Sequence, residues 1–272
     1  MMPLVSVTIP TRNSGATLEK CLESVRKQTY KKMEIIVVDS YSTDNTQQIA
    51  KRYGANFLSY NGKLLGARKL GAVKSKGKYV LLLDSDQILR PDAIERSVKM
   101  MENFDMLFLE ESTYETKTFA QKLFEADRKI LHEEKDINPV TSALLPRVYK
   151  RDLLLKAFES IPAELLPIVV SHDHAIIYFE CYKLSQRVGF VPNAVAHMEP
   201  SSLRTVFKKF RAYGRNTRDF EKLGYYKEII KGKARLRKGI LKQPIAWAMS
   251  TFLMLVRGIA FLIGYYGCRR TT

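Results

Sequence analysis

Cysteine is scarce in this 272-residue chain. The three present, Cys21, Cys181 and Cys268, share no metal-type spacing, and an odd count makes a poor disulfide framework; reduced, cytosol-facing thiols are the expectation. No G-x-G-x-x-G follows the first strand pattern, where Gly15 stands isolated, and this argues against a dinucleotide-binding dehydrogenase. No G-x-x-x-x-G-K-[ST] occurs either, which argues against a P-loop enzyme. A basic-then-apolar leader is missing: Met1-Met2-Pro3 runs straight into an alternating strand pattern, so no signal peptide is expected. There is no internal repeat and no low-complexity segment. With 46% hydrophobic residues and ten dispersed prolines, disordered and collagen-like classes are excluded. The length suits one large domain, or a domain with an appendage.

Acidic residues run out toward the C-terminus. Residues 200–272 hold 17 Lys/Arg against only Asp219, Glu221 and Glu228, a net +14, which leaves +3 of the formal +17 for residues 1–199. A nearly neutral body joined to a strongly basic tail meets polyanions, either nucleic acid or an anionic membrane surface. The stretch Pro244 to Cys268 separates the two, because its 25 residues carry one charge, Arg257. At about 1.5 Å per residue, such a helix crosses the roughly 30 Å hydrocarbon layer with tilt. Lys231, Lys233, Arg235, Arg237, Lys238 and Lys242 precede it and Arg269 and Arg270 follow, so the heavier upstream charge places the body in the cytoplasm. Arg257 at mid-span costs about 2.5–3.5 kcal/mol even on the lenient insertion scale. Two shorter interfacial helices breaking near Arg257-Gly258 therefore compete with one spanning helix, and a buried soluble helix is a third option. A nucleic-acid-binding protein working through the basic tail is the alternative from a different class, and the apolar stretch speaks against it. Membrane contact, with no nucleic acid, is the expectation. The chain divides on this basis into a body at 1–199, basic amphipathic helices at 200–243 and a hydrophobic membrane segment at 244–272.

The first hundred residues alternate strand and helix. Leu4–Ile9, Glu34–Asp39, Asn56–Ser59 and Lys78–Asp84 read as strands. Helices are expected from about Ser14 or Thr17 as caps, near 45–53, over Leu64–Ser75, and from Pro91 through Met101. This is a βαβαβ pattern, hence an α/β fold with a mostly parallel sheet and helices on both faces. Farther on, Met106–Glu111 suggests a strand, 118–134 a helix, Asn138–Tyr149 a mixture of loop and strand, and Ser171-His172-Asp173-His174 precedes a helix through Gln186.

Two of these strands end in aspartate, Asp39 and Asp84, and both fall on the carboxyl edge of the sheet, where open α/β sheets bind ligands. Asp84-Ser85-Asp86 sets two carboxylates at the end of an apolar strand. Burying such a pair is costly unless a cation lies between them, so a divalent metal with oxygen ligands is the natural occupant. The competing explanation is a helix cap, with Asp86 or Asp92 serving the next helix.

Further motifs accompany the triplet. Pro10-Thr11-Arg12-Asn13 follows the first strand and Asp39-Ser40-Tyr41-Ser42-Thr43-Asp44-Asn45-Thr46 ends the second; Gly66-Ala67-Arg68-Lys69-Leu70-Gly71 and Lys76-Gly77-Lys78-Tyr79 come next. In this order and spacing the chain resembles the family 2 glycosyltransferases of the GT-A fold over residues 4–100, and less closely over 140–200. The resemblance implies a nucleotide-sugar donor bound by Pro10, Thr11, Arg12, Asn13, Asp39, Arg68, Asp84 and Ser85. Asp39 would accept hydrogen bonds from the base, while Thr11 and Asn13 line the base and ribose pocket. Arg12 stands where family members often carry an aromatic, and a guanidinium can also stack. Arg68 matches the arginine of the family's A-R-N stretch, whereas Lys69 departs from its asparagine. Asp84 and Asp86 would hold Mn²⁺ or Mg²⁺ against the donor diphosphate.

An inverting transfer also needs a base for the acceptor's proton. Where family members carry an E-D pair at a helix start, this chain reads His172-Asp173-His174, so Asp173 matches the base and His172 replaces the glutamate. The helix N-terminus should keep Asp173 ionised. His172 is a candidate diphosphate or acceptor contact, with an exposed loop histidine as the plainer alternative. His197 is a candidate metal or diphosphate ligand, against a structural role. Phe207 to Arg215 lies on an amphipathic helix that loosely resembles the interface helix of processive members, making Arg211, Tyr213 and Arg215 further acceptor or diphosphate candidates. The resemblance implies a membrane-associated, metal-dependent, inverting glycosyltransferase with its catalytic domain facing the cytoplasm. The donor is GDP-mannose or a UDP-sugar, with GDP-mannose first because one carboxylate at Asp39 can serve two guanine donors. A lipid-linked glycan is the acceptor, or, for a polyprenyl-phosphate sugar synthase, the lipid phosphate itself.

Overall fold

The computed structural model describes residues 2–134, 136–232 and 243–267. Of the basic run before the apolar segment only Lys231 is among them; Lys233, Arg235, Arg237, Lys238 and Lys242 lie outside the described residues, as do Cys268, Arg269 and Arg270. The chain forms two compact units: residues up to Ser112 with Leu145–Ile168 and Asp173–Met198, and Thr113–Leu144 with Val169–His172 and Glu199 onward. The second unit thus draws two segments, Thr113–Leu144 and Val169–His172, from inside the 1–199 stretch.

The first unit begins with β1 (Val5–Thr11), α1 (Leu18–Arg26), β2 (Met33–Asp39), α2 (Thr46–Arg52) and β3 (Asn56–Ser59). It continues with α3 (Leu64–Lys74), β4 (Tyr79–Leu82), β5 (Gln87–Leu89), α4 (Ala93–Met100) and β6 (Met106–Thr113). In the second unit α5 (Phe119–Glu134) follows; β7 (Val148–Lys150), α6 (Arg151–Ser160), α7 (Asp173–Leu184) and β8 (Val188–His197) return to the first. The tail adds α8 (Leu203–Glu221), α9 (Lys227–Gly232) and α10 (Pro244–Tyr266).

The eight strands run in the order β3-β2-β1-β4-β7-β6-β8-β5. β1 pairs in parallel with both β2 and β4, and β2 with β3, as the alternating pattern predicts. The far half is antiparallel: β4 with β7, β6 with β7, and β5 with β8. Side chains on β2 alternate between faces. Val37 joins a core with Leu18, Leu22, Val25 and Ile49, whereas Ile36 and Val38 pack with Ala67, Leu58 and Leu70. Both faces are therefore covered by helices, which is why β2 is apolar from Ile35 through Val38. Pro10 is tolerated in β1 because the β4 ladder ends at Thr8, so its missing N–H breaks no bond on that side.

The start of α1 differs from the expected side-chain cap. Thr17 makes no capping bond, and the N–H groups of Thr17 and Leu18 bond the Ser14 carbonyl at 3.0 and 2.9 Å. The Ser14 hydroxyl is instead drawn toward the sheet edge, accepting from Arg12 N at 3.3 Å and Ser85 Oγ at 3.0 Å. The break near Arg257-Gly258 that competed with one continuous helix is absent, since α10 runs unbroken from Pro244 to Tyr266. A single interior glycine costs only about 1 kcal/mol, and Arg257 is held by an ion pair described below.

Candidate active site

β1 and β2 end in register, with Thr11 opposite Asp39. This register places the Thr11 hydroxyl 2.7 Å from Asp39 Oδ1, to which it donates. The chain turns after Asp39 so that Ser42 donates twice, from Oγ to Oδ1 at 2.6 Å and from its backbone N–H to Oδ2 at 2.8 Å. Asp39 is buried and takes three hydrogen bonds from its own unit. Asn13, at a left-handed φ of 51°, ties the two loops together: its N–H donates to Ser42 Oγ (2.7 Å) and its Oδ1 accepts from Thr43 N (2.8 Å). Gly15 completes the lock, donating to Asp44 Oδ2 at 2.9 Å; a Cβ there would lie 1.9 Å from Asn45 Oδ1, so a side chain fits only if that of Asn45 swings aside. Arg12 projects from this platform, exposed.

Asp84 follows β4, where Gln87 N bonds the Asp84 carbonyl at 3.0 Å and closes a turn around Ser85-Asp86. Gln87 Oε1 in turn accepts from Asp84 N at 2.9 Å. Ser85 Oγ reaches Ser14 Oγ, so the triplet and the β1 loop share one edge. The two aspartates then part. Asp86 is linked to the end of β8: its carbonyl accepts from Met198 N at 2.8 Å, and its Oδ1 lies 3.5 Å from His197 Nε2. It does not cap α4, whose first turn follows Asp92, and Asp92 itself makes no side-chain capping bond.

Asp84 points into an arginine clamp instead. Arg68, 1% exposed on α3, donates from Nη2 to Asp84 Oδ1 at 2.5 Å and from Nε to Asp173 Oδ2 at 2.5 Å. Arg147 donates to Asp84 Oδ2 at 2.8 Å and to Glu111 Oε1 at 3.3 Å, and it also contacts His174 Nε2. Glu111 accepts from Gln87 Nε2 at 2.9 Å as well. Three carboxylates and two guanidiniums thus share a buried space, where breaking a pair by removing one partner is costly. Burial favours the neutral carboxyl of Asp84, yet Arg147 and Arg68 hold it well below the ordinary aspartate range. At Asp173, the first residue of α7, burial again works against the charge, and Arg68, then His174, outweigh it to lower the pKa. His174 goes down to about 4, because burial and the two arginines exclude a third cation. Among the described residues, Arg68 Nη1 is buried with no hydrogen-bond partner.

The first unit therefore gathers Thr11, Asn13, Asp39, Arg68, Asp84, Ser85, Asp86, Asp173 and His197 along the carboxyl edge or on residues bonded to it. His174, which stands beside Asp173 in the His172-Asp173-His174 motif, joins the cluster; Arg147, Glu111 and Gln87 were not anticipated. No motif flags them; only tertiary pairing with Asp84 does. Both Asp84 oxygens face guanidiniums, and among the described residues no three His, Cys, Asp or Glu side chains form a metal-type group.

The remaining candidates belong to the second unit. His172, at φ 65°, sits 3.5 Å from Thr217 Oγ1 through Nδ1 and packs edge-on to Phe220, so its ring is engaged with α8. Arg211 and Arg215 are exposed on α8, and Tyr213 packs against Phe210, with the Lys209 ammonium 6.0 Å from its ring.

A two-faced α/β sheet with a D-x-D turn at its carboxyl edge has the architecture of the GT-A fold. The glycosyl transferase family 2 model matches residues 6–138. Glycosyltransferase GlyG of Streptococcus pneumoniae is 34% identical over 112 residues, 39% of this chain and 37% of that protein. An uncharacterized glycosyltransferase of Rickettsia typhi is 28% identical over 189 residues, 67% of this chain and 57% of its own. The chain thus spans less than two thirds of either relative. The mannosyltransferase PcManGT of Pyrobaculum calidifontis, solved with GDP-Man and Mn²⁺, superposes with a TM-score of 0.58 at 19% identity, over 97% of this chain and 73% of that one. At that identity the likeness is one of fold.

Proposed function

We propose that the chain is an inverting, metal-dependent glycosyltransferase that moves a hexose from a nucleotide-sugar donor to a membrane lipid-linked acceptor. The observation that carries this reading is Arg68, which joins the D-x-D aspartate Asp84 to the helix-start aspartate Asp173 through one guanidinium. Donor-side and acceptor-side carboxylates are thereby held in one cluster.

Asp39 receives the base. A carboxylate offers about four lone-pair positions, and Thr11 and Ser42 occupy three of them. One position remains, on Oδ2. A single donor such as uracil N–H fits it directly, while guanine's two donors require the Ser42 hydroxyl to turn away. This favours a UDP-sugar over GDP-mannose. Arg68 Nη1, on the guanidinium that joins Asp84 and Asp173, is a charged donor suited to a phosphate or sugar oxygen.

The residues present fit a divalent cation at Asp86 and His197, a carboxylate oxygen and an imidazole nitrogen 3.5 Å apart. Mn²⁺ accepts that mixed pair more readily than Mg²⁺, which prefers oxygen, and two protein ligands suffice when substrate phosphates complete the shell. Bound there, the cation supplies charge stabilisation for the departing diphosphate. Asp84 then acts by fixing Arg68 and Arg147 rather than as a ligand.

Asp173 takes the acceptor's proton on Oδ1, with Oδ2 committed to Arg68. Its lowered pKa keeps it ionised but weakens it as a base, since the best base has a pKa near the working pH. That specific observation favours a second reading, in which the acceptor is a polyprenyl phosphate, already anionic and in need of no base. A lipid acceptor is supported by α10, which is long and apolar enough to cross a membrane by length and composition. The test is transfer of labelled hexose from UDP-sugars and GDP-mannose to polyprenyl-linked glycan and to polyprenyl phosphate, in Mn²⁺ or EDTA. Transfer that needs Mn²⁺ supports the proposal, and the acceptor used chooses between its two forms. Undiminished transfer in EDTA contradicts the metal dependence.

A further inference from the structure

The membrane contact proposed above leaves open how α10 meets lipid. We infer that α10 lies in the plane of an anionic membrane surface, half immersed, rather than spanning the bilayer. The helix has two unlike faces. Ser250, Leu253, Ala260 and Gly264 are buried within the second unit. On that side Arg257 pairs with Asp127 of α5 at 2.8 Å, and Ser250 donates to the other Asp127 oxygen at 2.6 Å. The guanidinium rests over Phe124 and Phe210, 4.6 and 5.2 Å from their ring centroids. The mid-helix charge that made a transmembrane reading awkward is therefore satisfied by protein.

The neighbours that satisfy it are too polar to accompany α10 into hydrocarbon. α8 and α10 touch backbone to backbone: a Cβ on Gly214 would lie 2.0 Å from the Phe261 carbonyl oxygen, and one on Gly264 would lie 2.0 Å from that of Arg211. α8 is thus fixed along the C-terminal half of α10 and cannot separate from it without losing this contact. Its exposed cations Arg204, Lys208, Arg211 and Arg215 recur at spacings of four, three and four residues, one line along the helix, with no acid before Asp219. A spanning α10 would carry such charges into the bilayer against a strong insertion penalty.

The opposite face of α10 is apolar and open. Ile245, Phe252, Leu255, Ile259, Leu262 and Tyr266 are 44–77% exposed, at spacings that keep them on one side. An apolar helix face beside a line of cations matches the two layers of an anionic bilayer surface, acyl chains and headgroups. The charge line selects lipid over a second copy of this chain, whose identical cations would repel.

Depth-resolved quenching tests this. Trp247 is the only tryptophan, so single tryptophans can be placed at Phe252, Leu255, Ile259 and Tyr266 in full-length Trp247→Phe protein. Each is bound to phosphatidylcholine/phosphatidylglycerol vesicles whose lipids carry bromine at graded chain depths. The in-plane reading predicts one shallow depth for all four. A depth that changes steadily along the helix, by about 1.5 Å per residue, overturns it while leaving membrane association intact. No quenching at any position removes the membrane reading itself, and a concentration-dependent dimer in that case assigns the face to a second copy. As a second measurement, Lys208→Ala should weaken binding to the anionic vesicles about fivefold and leave binding to pure phosphatidylcholine unchanged; equal loss on both contradicts the charge line.

Discussion

A side chain's worth at this site depends on which neighbour it faces, and the two aspartates of the D-x-D turn show it. Asp86→Ala should abolish Mn²⁺-dependent nucleotide binding while the fold survives, since the side chain is partly exposed and its contact with His197 is at the sheet edge rather than in the core. Retained Mn²⁺-dependent binding, read by calorimetry, would place the cation elsewhere. Asp173→Asn keeps the shape and removes proton acceptance, so turnover onto a hydroxyl acceptor should fall about 10²–10⁴-fold with donor KM little changed. Unchanged turnover identifies a phosphate acceptor. His174 gives a stability signature. It is neutral when folded down to about pH 4, whereas an unfolded histidine titrates near 6.5. Its contribution is complete above pH 6.5 and drains away as pH falls toward 4, on the order of 3 kcal/mol in all. Asp84 and Asp173, with depressed pKa values, hold their contributions to lower pH still. Urea midpoints between pH 4 and 7 should therefore decline for wild type and stay flatter for His174→Gln; parallel curves would mean that the histidine does not titrate this way.

Among the elements, α8 and α10 depend on the smallest side chains. Gly264→Val should force the two backbones apart, because the added carbon meets the Arg211 carbonyl. Its thermal midpoint should drop by several degrees, while nucleotide binding, built from β1, β2, β4 and α3, persists; equal loss of both would show one cooperative structure. The same contrast explains what the sequence made legible. β2 and β4 were readable because each holds a run of four consecutive apolar residues, and Asp39 and Asp84 were readable because each closes such a run. β5 was not, since three residues carry no period, and its pairing with β8 is what brings His197 beside Asp86. The arginine clamp was hidden for a related reason. Arg147 and Glu111 lie in segments without a motif, and only the antiparallel strands β6 and β7, whose direction no local pattern sets, deliver them to Asp84. Arg257 misled for the opposite reason, as a charge in an apolar run whose partner, Asp127, is distant in sequence.

For the whole molecule, removing α10 is a harsher change than losing an anchor. Truncation after Gln243 uncovers Leu123, Phe124 and Val206 and strips Asp127 of Ser250 and Arg257. It should yield an aggregating protein rather than a soluble enzyme. Leu255→Glu with Leu262→Glu alters only the exposed face, so it should stay folded and fail to float with vesicles; vesicle binding equal to wild type would remove that face from the membrane contact. The most direct measurement of the central claim, a metal-dependent nucleotide-sugar site at Asp39, Asp86 and Arg68, is calorimetric titration of full-length protein with UDP and GDP, with and without Mn²⁺. The account predicts binding that requires Mn²⁺, tighter for UDP than for GDP. Absence of binding for both nucleotides in Mn²⁺, or equal binding in EDTA, would contradict it.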